Sequence, residues 1–492
     1  MNSGDINHLL AISDTPASLS TLDPTKVAEI AFALWRAYEY ERAEQLFKLI
    51  LEESHSTIEN ILQIAKCYFQ SGRFGKSVDA MAHAIRRQKM PEAELYVQYA
   101  WTLERDNQFE QAREQLSKAL EIDPSSARGV RLLAHLEKRE GRYESAETLL
   151  TRHLKEYPSS FDWGLRYELA SSLDRLGQFD EAWEQLQLAK SQLHPRAIPQ
   201  LKVSYAIRHR QWEIAREITD VDLRNWQRDA ESIGQPHNVA ILAGFPRSGT
   251  TLLEQVLASN SKCVGTDESG IVNTQFSVPL LWEAATAFDA VVELRSFGAQ
   301  SIDAGRQAYL KFSEALLGER IDDRLLVEKD PLATPELCMF LRLFPEAKVL
   351  MPIRDPRDVI VSYFFTLVPL NWNSAPSIDV VQASRFYVDC MRHWLLWKTK
   401  LKQCWMETSY ERMTVEPADC VRRVTDFLGL EWEPEMLDTK NRSDRAAVRT
   451  PTYDDITKPI DSRAVGRWKN YERHLAGALE ILNPFVEQFG YE

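Results

Sequence analysis

Apolar and polar positions in the first half of the chain follow a helical period, and this pattern itself recurs along the sequence. An aromatic residue, followed three positions later by a small residue, returns at steps of 33 to 36 residues. The six aromatic residues are Tyr40, Phe74, Phe109, Tyr143, Phe179 and Trp212. The small residues, where two helices would approach closely, are Ala43, Ser77, Ala112, Ala146, Ala182 and Ala215. Self-similarity with this period predicts stacked helix hairpins.

Turn signals separate the predicted helices of these copies. Residues that tolerate a left-handed backbone stand two positions before the aromatic residue at Gly72, Asn107, Gly141 and Gly177. Prolines, which we expect to end the second helix of a copy, stand at Pro91, Pro124, Pro158 and Pro195. The repeated segment, roughly residues 24–220, resembles the tetratricopeptide repeat, a helix hairpin of about 34 residues.

The resemblance implies a superhelix whose concave face binds a peptide or a protein partner. The alternatives are that the repeats only support the next domain or that they dimerise. The polar segment DVDLRNWQRDAESIGQPHN separates the repeats from the second half. We therefore expect a repeat domain of about six hairpins over residues 24–230 and a second domain over residues 238–492.

Short apolar runs in the second half alternate with amphipathic stretches, which predicts strands alternating with helices. The predicted strands are 239–245, 324–330, 347–355 and 402–411. Pro352 lies in the third strand, and because a central strand needs its N–H groups, we expect a bulge or a strand end there. The pattern indicates a three-layer α/β/α domain with a parallel sheet, whose ligands bind beyond the carboxyl ends of the strands.

Composition limits the classes of ligand and the location. A net charge of −13 argues against general binding to nucleic acid or to an anionic membrane, so an anionic ligand needs a locally basic pocket. The sequence shows no basic opening followed by an apolar run and no apolar stretch of membrane-spanning length. Its six cysteines lie far apart. We expect a cytoplasmic protein without a membrane span.

Residues 243–260, AGFPRSGTTLLEQVLASN, join the first predicted strand to a helix. Gly244 and Gly249 are spaced as in a Walker A loop, but Thr250 stands where that loop has its lysine. The amides and the helix N-terminus can still bind an anion, with Arg247 as the cation inside the loop. The alternative is a glycine turn with ordinary hydroxyl residues.

A second candidate anion site is the stretch IRDPRDVIVSYFF. Arg354 ends a predicted strand, and Asp355 and Pro356 suit the N-cap and the first position of a helix. Ser362 follows two turns later, so Arg354 and Ser362 could hold one phosphate from two sides. The alternative is that Arg354 forms an ion pair with Asp358.

Together, FPRSGTT and RDPRDVIVS resemble the sulfotransferase family over residues from about 238 to 474. The resemblance implies that the first motif holds the 5′-phosphosulfate of 3′-phosphoadenosine 5′-phosphosulfate (PAPS), while Arg354 and Ser362 hold its 3′-phosphate. Tyr410, in SYERMTVEP, matches the residue that lies against the adenine. The donor-binding residues implied in the first motif are Pro246, Arg247, Ser248, Gly249, Thr250 and Thr251.

Within that family the pattern is most similar to the tyrosylprotein sulfotransferases and their repeat-bearing bacterial relatives. VGTDESGIV matches the segment with the catalytic glutamate, which implies Glu268, although Asp267 leaves the identity of the base open by one position. VEKDPL implies Lys329 as the catalytic lysine. TPTYDDITKPIDSRAVGRW implies donor contacts by Thr452, which stands where those enzymes carry serine, and by Lys458.

The resemblance implies transfer of a sulfuryl group from PAPS to an acceptor hydroxyl, most closely a peptide tyrosine. Glu268 would act as general base, and Lys329, Arg247 and the loop amides would stabilise the developing charge. No metal is expected, because no ligand cluster is visible in the sequence. The alternatives are a glycan, lipid or small-phenol acceptor, a P-loop kinase or nucleotide hydrolase, and a repeat scaffold whose C-terminal domain binds nucleotide without activity.

Overall fold

The computed structural model describes residues 24–52, 57–234, 236–402, 404–438 and 459–491. By its contacts the chain divides into two compact units, Met1–Ser172 and Leu173–Glu492. This division concerns contacts, so the sequence domains over 24–230 and 238–492 stay a prediction. Within the described ranges, no helix is long and apolar enough to cross a membrane.

The repeat region is built from helices joined by tight turns. The predicted left-handed turn positions are confirmed, since Gly72, Asn107, Gly141 and Gly177 have φ of 75°, 59°, 77° and 76°. The small residues of the repeat are buried, as close helix packing requires. The helices are α1 (Pro24–Arg36), α2 (Tyr40–Glu52), α3 (Ile58–Gln70), α4 (Phe74–Arg87), α5 (Ala93–Arg105), α6 (Phe109–Ile122), α7 (Ala127–Arg139), α8 (Tyr143–Glu156), α9 (Asp162–Arg175), α10 (Phe179–Glu217) and α11 (Asp220–Ile233).

One prediction about the end of the repeats is wrong. Pro195 does not end a helix and no helix begins near Trp212, because α10 is one helix of 39 residues that contains both Pro195 and Pro199. A proline inside a helix removes a backbone hydrogen bond and costs about 3 kcal/mol. The helix buries Leu193 and Ala197 beside these prolines, and we attribute its continuity to the packing of this face.

The second unit continues after α11 with strands that alternate with helices, as predicted. Its elements are β1 (Val239–Leu242), α12 (Thr250–Ala258), β2 (Cys263–Gly265), a π-helix (Val272–Trp282), α13 (Ala287–Ser296), α14 (Ala299–Leu317), β3 (Leu325–Lys329), a 3₁₀ helix (Thr334–Glu336), α15 (Leu337–Leu343), β4 (Lys348–Ile353), α16 (Pro356–Phe365), a 3₁₀ helix (Ala375–Ile378), α17 (Val380–Lys400), β5 (Trp405–Ser409), α18 (Tyr410–Val415), α19 (Pro417–Leu428), two 3₁₀ helices (Pro434–Leu437 and Arg467–His474) and α20 (Ala476–Gln488).

The five strands form one parallel sheet in the order β2-β3-β1-β4-β5. Every residue of β1 and β3 is buried, so helices cover both faces of the sheet. The α/β/α architecture predicted from the sequence is confirmed. After β3 the chain crosses β1 to reach β4, and ligands of such sheets bind where the strand order reverses. That point is the loop that follows β1.

One detail of the sheet was predicted from the sequence and another was not. Pro352 is the next-to-last residue of β4 and pairs with Thr408 of β5. The pairing of β4 with β1 ends earlier, at Leu350. This agrees with the expected strand end. β2 was not predicted, because three residues at the edge of a sheet are too few to show a strand pattern.

The apolar core on one face of the sheet fixes the helix that follows the candidate phosphate loop. Leu253 and Val256 of α12 pack in one cluster with Val327 of β3 and with Val421 and Val424 of α19. This packing holds the first turn of α12 at the carboxyl ends of the strands.

The helix α10 belongs to the second unit and packs on two of its helices. The ring of Trp183 stacks on Phe364 of α16 with centroids 4.7 Å apart. Arg208 Nη1 lies 2.5 Å from Asp389 Oδ2 of α17. The last long helix of the repeat region is therefore part of the core around the sheet.

Candidate active site

The loop between β1 and α12 is fixed at its start and strained at its end. The N–H of Gly244 donates to Thr334 Oγ1 at 3.1 Å, and the Thr334 hydroxyl donates to the Gly244 carbonyl at 2.8 Å. Arg247 has a φ of 75° and Gly249 a φ of 96°, both in the left-handed region. A non-glycine residue in that region costs roughly 1–3 kcal/mol. The surrounding structure therefore imposes this turn on Arg247.

The remaining residues of the loop lie at the start of α12. Ser248 is buried and its hydroxyl donates to the Phe245 carbonyl at 2.7 Å, while Pro246 is half-buried. Thr250 and Thr251 are the first two residues of α12 and both are buried. The first N–H groups of a helix have no partner within the helix, and its dipole favours a negative charge there. This end of α12 is suited to an anion.

Four predicted donor-binding residues meet around Arg247. Arg247 Nε donates to Ser362 Oγ at 2.9 Å, and Arg354 Nη1 donates to the Arg247 carbonyl at 3.0 Å. The Arg354 guanidinium lies 4.5 Å from the centroid of the Tyr410 ring. A Cβ at Gly249 would lie 2.6 Å from the Tyr410 ring, so only glycine allows this approach.

The alternative role for Arg354 is not what the structure describes. Arg354 Nη2 donates to the Ala464 carbonyl. Asp358 instead accepts the N–H groups of Gly466 and Trp468 at 2.7 Å and 2.8 Å. Arg354 thus binds two backbone carbonyls rather than Asp358. Asp355 and Pro356 begin α16 as predicted, with Asp355 accepting the N–H of Arg357 at 2.9 Å.

Lys329, at the end of β3, is fully buried and contacts three carboxylates. Its Nζ lies 3.0 Å from Asp267 Oδ1, 3.2 Å from Glu268 Oε1 and 3.2 Å from Glu254 Oε2. The hydroxyl of Thr251 lies 3.4 Å from the same nitrogen. Both residues left open as the base, Asp267 and Glu268, therefore meet the predicted catalytic lysine.

The two candidate bases sit on a strained turn. Asp267 has a φ of 49° and Glu268 a φ of 57°. The turn is tied down from two sides: the N–H of Glu268 donates to the Lys329 carbonyl at 3.1 Å, and that of Asp267 donates to Glu254 Oε1 at 2.7 Å. The side chain of Glu268 is 41% exposed, whereas that of Asp267 is 15% exposed. Glu268 is the carboxylate that an incoming acceptor can reach more easily.

Burial and charge act in opposite directions in this cluster. Burial alone would lower the pKa of Lys329, but Glu254, Glu268 and Asp267 hold it well above its usual range, so the amine stays charged. Burial raises the pKa of Glu254 to about 7 against the opposing effect of Lys329. Burial also raises the pKa of the neighbouring Asp330 to about 7. The site combines a permanent cation with carboxyl groups that change protonation near neutral pH.

A small cavity lies beside this cluster, and one of its lining residues contacts α10. Asp330, Asn273 and Glu336 are among its lining residues. Glu336 accepts hydrogen bonds from Gln211 of α10 at 2.8 Å and from the indole of Trp282 at 3.0 Å. A side chain of α10 therefore helps to fix the wall of this cavity.

Glu254 was missed by the sequence analysis. The available signal was its charge within TTLLEQVLA, where apolar residues otherwise dominate the helix. It is 1% exposed and faces Lys329 rather than solvent. Two predicted donor-binding residues, Thr452 and Lys458, lie outside the described residues. Within the ranges that the structure covers, no cluster of His, Cys, Asp and Glu suited to a metal ion was found.

Comparisons with known proteins agree with the motifs. Residues 240–434 match the model of the sulfotransferase family, and residues 93–136 match that of the tetratricopeptide repeat. An uncharacterized protein of Aquifex aeolicus (strain VF5) is 25% identical over 392 residues, which cover 76% of this chain but only 48% of that protein. The chain thus spans about half the length of this relative.

Two further matches concern the second half. Protein-tyrosine sulfotransferase 1 of Danio rerio is 22% identical over 269 residues, covering 51% of this chain and 71% of that protein. The sulfotransferase domain from the curacin biosynthetic pathway is similar in structure with a TM-score of 0.34 and 18% identity, covering 52% of this chain and 99% of that one. The family indicated by the sequence motifs and the family whose model matches are the same.

Proposed function

We propose, from the match of residues 240–434 to the model of the sulfotransferase family, that the protein transfers the sulfuryl group of PAPS to an acceptor hydroxyl. The observation that carries this proposal is the position of the Lys329 amine. It lies 3.4 Å from Thr251 at the start of α12 and 3.2 Å from Glu268. A cation, a helix N-terminus and an accessible carboxylate therefore meet at the carboxyl ends of the strands.

Donor binding is supported by the groups around the loop. The first N–H groups of α12 and Arg247 would hold the 5′-phosphosulfate, and Arg354 and Ser362 the 3′-phosphate. Arg354 Nε is buried and has no hydrogen-bond partner among the described residues, as expected of a group that serves a ligand. The Tyr410 ring, packed against Arg354, would lie against the adenine.

The reaction we propose is an in-line displacement at sulfur. The acceptor oxygen forms a bond to sulfur while the bond from sulfur to the bridging oxygen of the bisphosphate breaks. Glu268 takes the proton of the acceptor hydroxyl. Lys329 stabilises the negative charge that grows on the bridging oxygen, and its surroundings keep it charged for this task.

A peptide tyrosine is the acceptor we propose. The similarity of residues in the second half to protein-tyrosine sulfotransferase 1 of Danio rerio supports it, and so does the repeat region, whose fold class commonly binds peptides. Gln211 of α10 contacts Glu336 in the wall of the cavity beside the site. A glycan, a lipid and a small phenol are the competing acceptors.

The test is to incubate the purified protein with labelled PAPS and separate panels of tyrosine peptides, sugars, lipids and phenols. Label in a peptide together with released adenosine bisphosphate supports the proposal, while label in another panel corrects the acceptor. Calorimetric binding of the bisphosphate without transfer to any panel would indicate a nucleotide-binding scaffold. Absence of bisphosphate binding would remove the basis of the proposal.

A further inference from the structure

Glu254 connects the two parts of the site through its two carboxylate oxygens. Oε1 accepts the N–H of Asp267 at 2.7 Å, and Oε2 lies 3.2 Å from the Lys329 amine. The first contact holds the strained turn that presents Glu268. The second holds the lysine itself. One buried side chain of α12 thus lies between the candidate base and the candidate charge-stabilising group.

The surroundings of Glu254 leave it little freedom. It is 1% exposed, and a Cβ at Gly265 would meet its Oε1 at 2.7 Å, so the strand β2 approaches it as closely as glycine permits. The charged groups that face it are Lys329 from β3 and Asp267 from the turn after β2. The helix Pro434–Leu437 contributes Met436 and Leu437 to the apolar cluster around α12.

We propose that Glu254 is a positioning residue of the sulfuryl-transfer reaction, which sets the separation of Lys329 from Glu268 without touching either substrate. The inference rests on the proposed function, since it assigns a role within that reaction. A carboxylate can accept from the Asp267 amide and face an ammonium at the same time, because both of its oxygens are acceptors.

An amide at this position cannot keep both contacts. If glutamine turns its oxygen to the Asp267 N–H, its NH₂ group faces the Lys329 ammonium, and the opposite orientation breaks the contact with Asp267. In the first case Lys329 moves towards its remaining carboxylates, Asp267 and Glu268, and in the second case the turn that carries Glu268 is released. A displacement of about 1 Å in a reacting group can cost on the order of a hundredfold in rate. The loss should appear in kcat and not in donor affinity.

The protonation of Glu254 gives a second signature. Burial raises its pKa to about 7, so its carboxylate is present above that pH and is lost as the pH falls through it. Protonated Glu254 is equivalent to glutamine for both contacts. We therefore expect the turnover of the wild-type protein to fall as the pH decreases through about 7, and this fall to be smaller in Glu254→Gln, where Asp330 is the remaining carboxyl group with a pKa of about 7.

The experiment compares Glu254→Gln and Glu254→Asp with a matched control, Glu346→Gln. Glu346 also forms an ion pair with a buried cation, Arg306, at 2.8 Å, but it precedes β4 at the opposite end of the sheet. For each variant, kcat and the KM for PAPS are measured from pH 6 to 8, together with the Kd for adenosine bisphosphate and the melting temperature.

We expect Glu254→Gln to lower kcat about a hundredfold and to leave the Kd for the bisphosphate within about threefold, because that affinity comes from Arg354, Ser362 and the loop. The side chain in Glu254→Asp is one methylene shorter but remains a carboxylate, so kcat should fall less than in Glu254→Gln. Glu346→Gln should lower the melting temperature and leave kcat within about twofold.

Two results would overturn the proposal: wild-type kcat in Glu254→Gln, or a loss of kcat accompanied by an equal loss of bisphosphate affinity and a lower melting temperature. If the wild-type protein transfers no sulfuryl group at all, the proposed function fails by itself. A crystal structure of Glu254→Gln then tests separately whether Glu254 positions Lys329 and the turn. Unchanged positions of Lys329 and Asp267 would contradict that role.

Discussion

Each unit of the protein contains a buried charge that contacts three groups of opposite charge. In the first unit, Glu168 lies 2.6 Å from Lys138, 3.2 Å from His135 and 3.4 Å from Arg131. In the second unit, Lys329 lies 3.0 to 3.2 Å from three carboxylates. The two clusters are alike in size, in burial of the central group and in distance.

The clusters differ in the backbone that carries them. Glu168 and its partners are on the regular helices α7 and α9, whereas Asp267 and Glu268 have left-handed φ values and Glu268 remains 41% exposed. Strain of this kind costs roughly 1–3 kcal/mol per residue and needs a surrounding structure that enforces it. In this chain, ion pairing alone does not distinguish a reactive cluster from a structural one. The Lys329 cluster, which we propose to be reactive, differs from the Glu168 cluster in its backbone strain and in the accessible carboxylate of Glu268.

Replacing a lysine should give the largest difference in kcat between the two clusters. Lys329→Met deletes the group that would stabilise the departing bisphosphate and leaves three carboxylates facing an anionic donor, so we expect a loss in kcat on the order of a thousandfold. Lys138→Met, the matched change in the first unit, should leave kcat within about twofold. Labelled-PAPS assays of both variants check the contrast, and a similar loss in both would contradict it.

The two carboxylates of the strained turn should not be equivalent. Glu268→Gln removes the accessible base and should lower kcat on the order of a hundredfold or more, with bisphosphate affinity retained. Asp267→Asn keeps the base, so its kcat should fall less than that of Glu268→Gln. Steady-state rates with calorimetric Kd values test this, and a larger loss in Asp267→Asn would make Asp267 the base.

A smaller effect, on donor affinity, is expected at the proposed site of the 3′-phosphate. Arg354→Ala removes a buried cation from the proposed 3′-phosphate site, so the Kd for adenosine bisphosphate should rise on the order of 30-fold or more. Arg467→Ala, which removes an arginine that pairs with Asp174 instead, is the control. Equal affinities of wild type and Arg354→Ala, measured by calorimetry, would remove Arg354 from the site.

The smallest effect concerns stability in the first unit. Burial alone would lower the pKa of His135, but Glu104 and Glu168 raise it to about 9. This contribution to the free energy of unfolding is complete below the unfolded pKa of about 6.5 and is lost as the pH rises through about 9. Its size is on the order of 3 kcal/mol. Denaturant unfolding should show His135→Gln destabilised at pH 6 and close to wild type above pH 9. A difference independent of pH would contradict it.

The sequence was informative wherever one segment determines its own structure. The turns at Gly72, Gly141 and Gly177 follow from the repeated local pattern, and the convergence of Arg247 with Arg354 follows from motifs at the ends of neighbouring strands. Parallel strands bring such ends together whatever the rest of the chain does.

Two features depended on contacts between distant segments and could not be predicted in this way. The continuity of α10 through Pro195 and Pro199 goes against their local tendency to end a helix. The position of Glu254 depends on Gly265 and Lys329, which are distant in the sequence. A single glutamate within an apolar helix indicates burial of a charge, but it does not say which cation meets it.

The length of α10 determines where the chain can be divided into separate domain fragments. At 39 residues the helix extends about 58 Å, and Trp183 and Arg208 seat it on Phe364 and Asp389. A fragment that starts at residue 238 would leave those surfaces bare and prone to aggregate. A cut between α9 and α10 keeps α10 with the helices on which it packs.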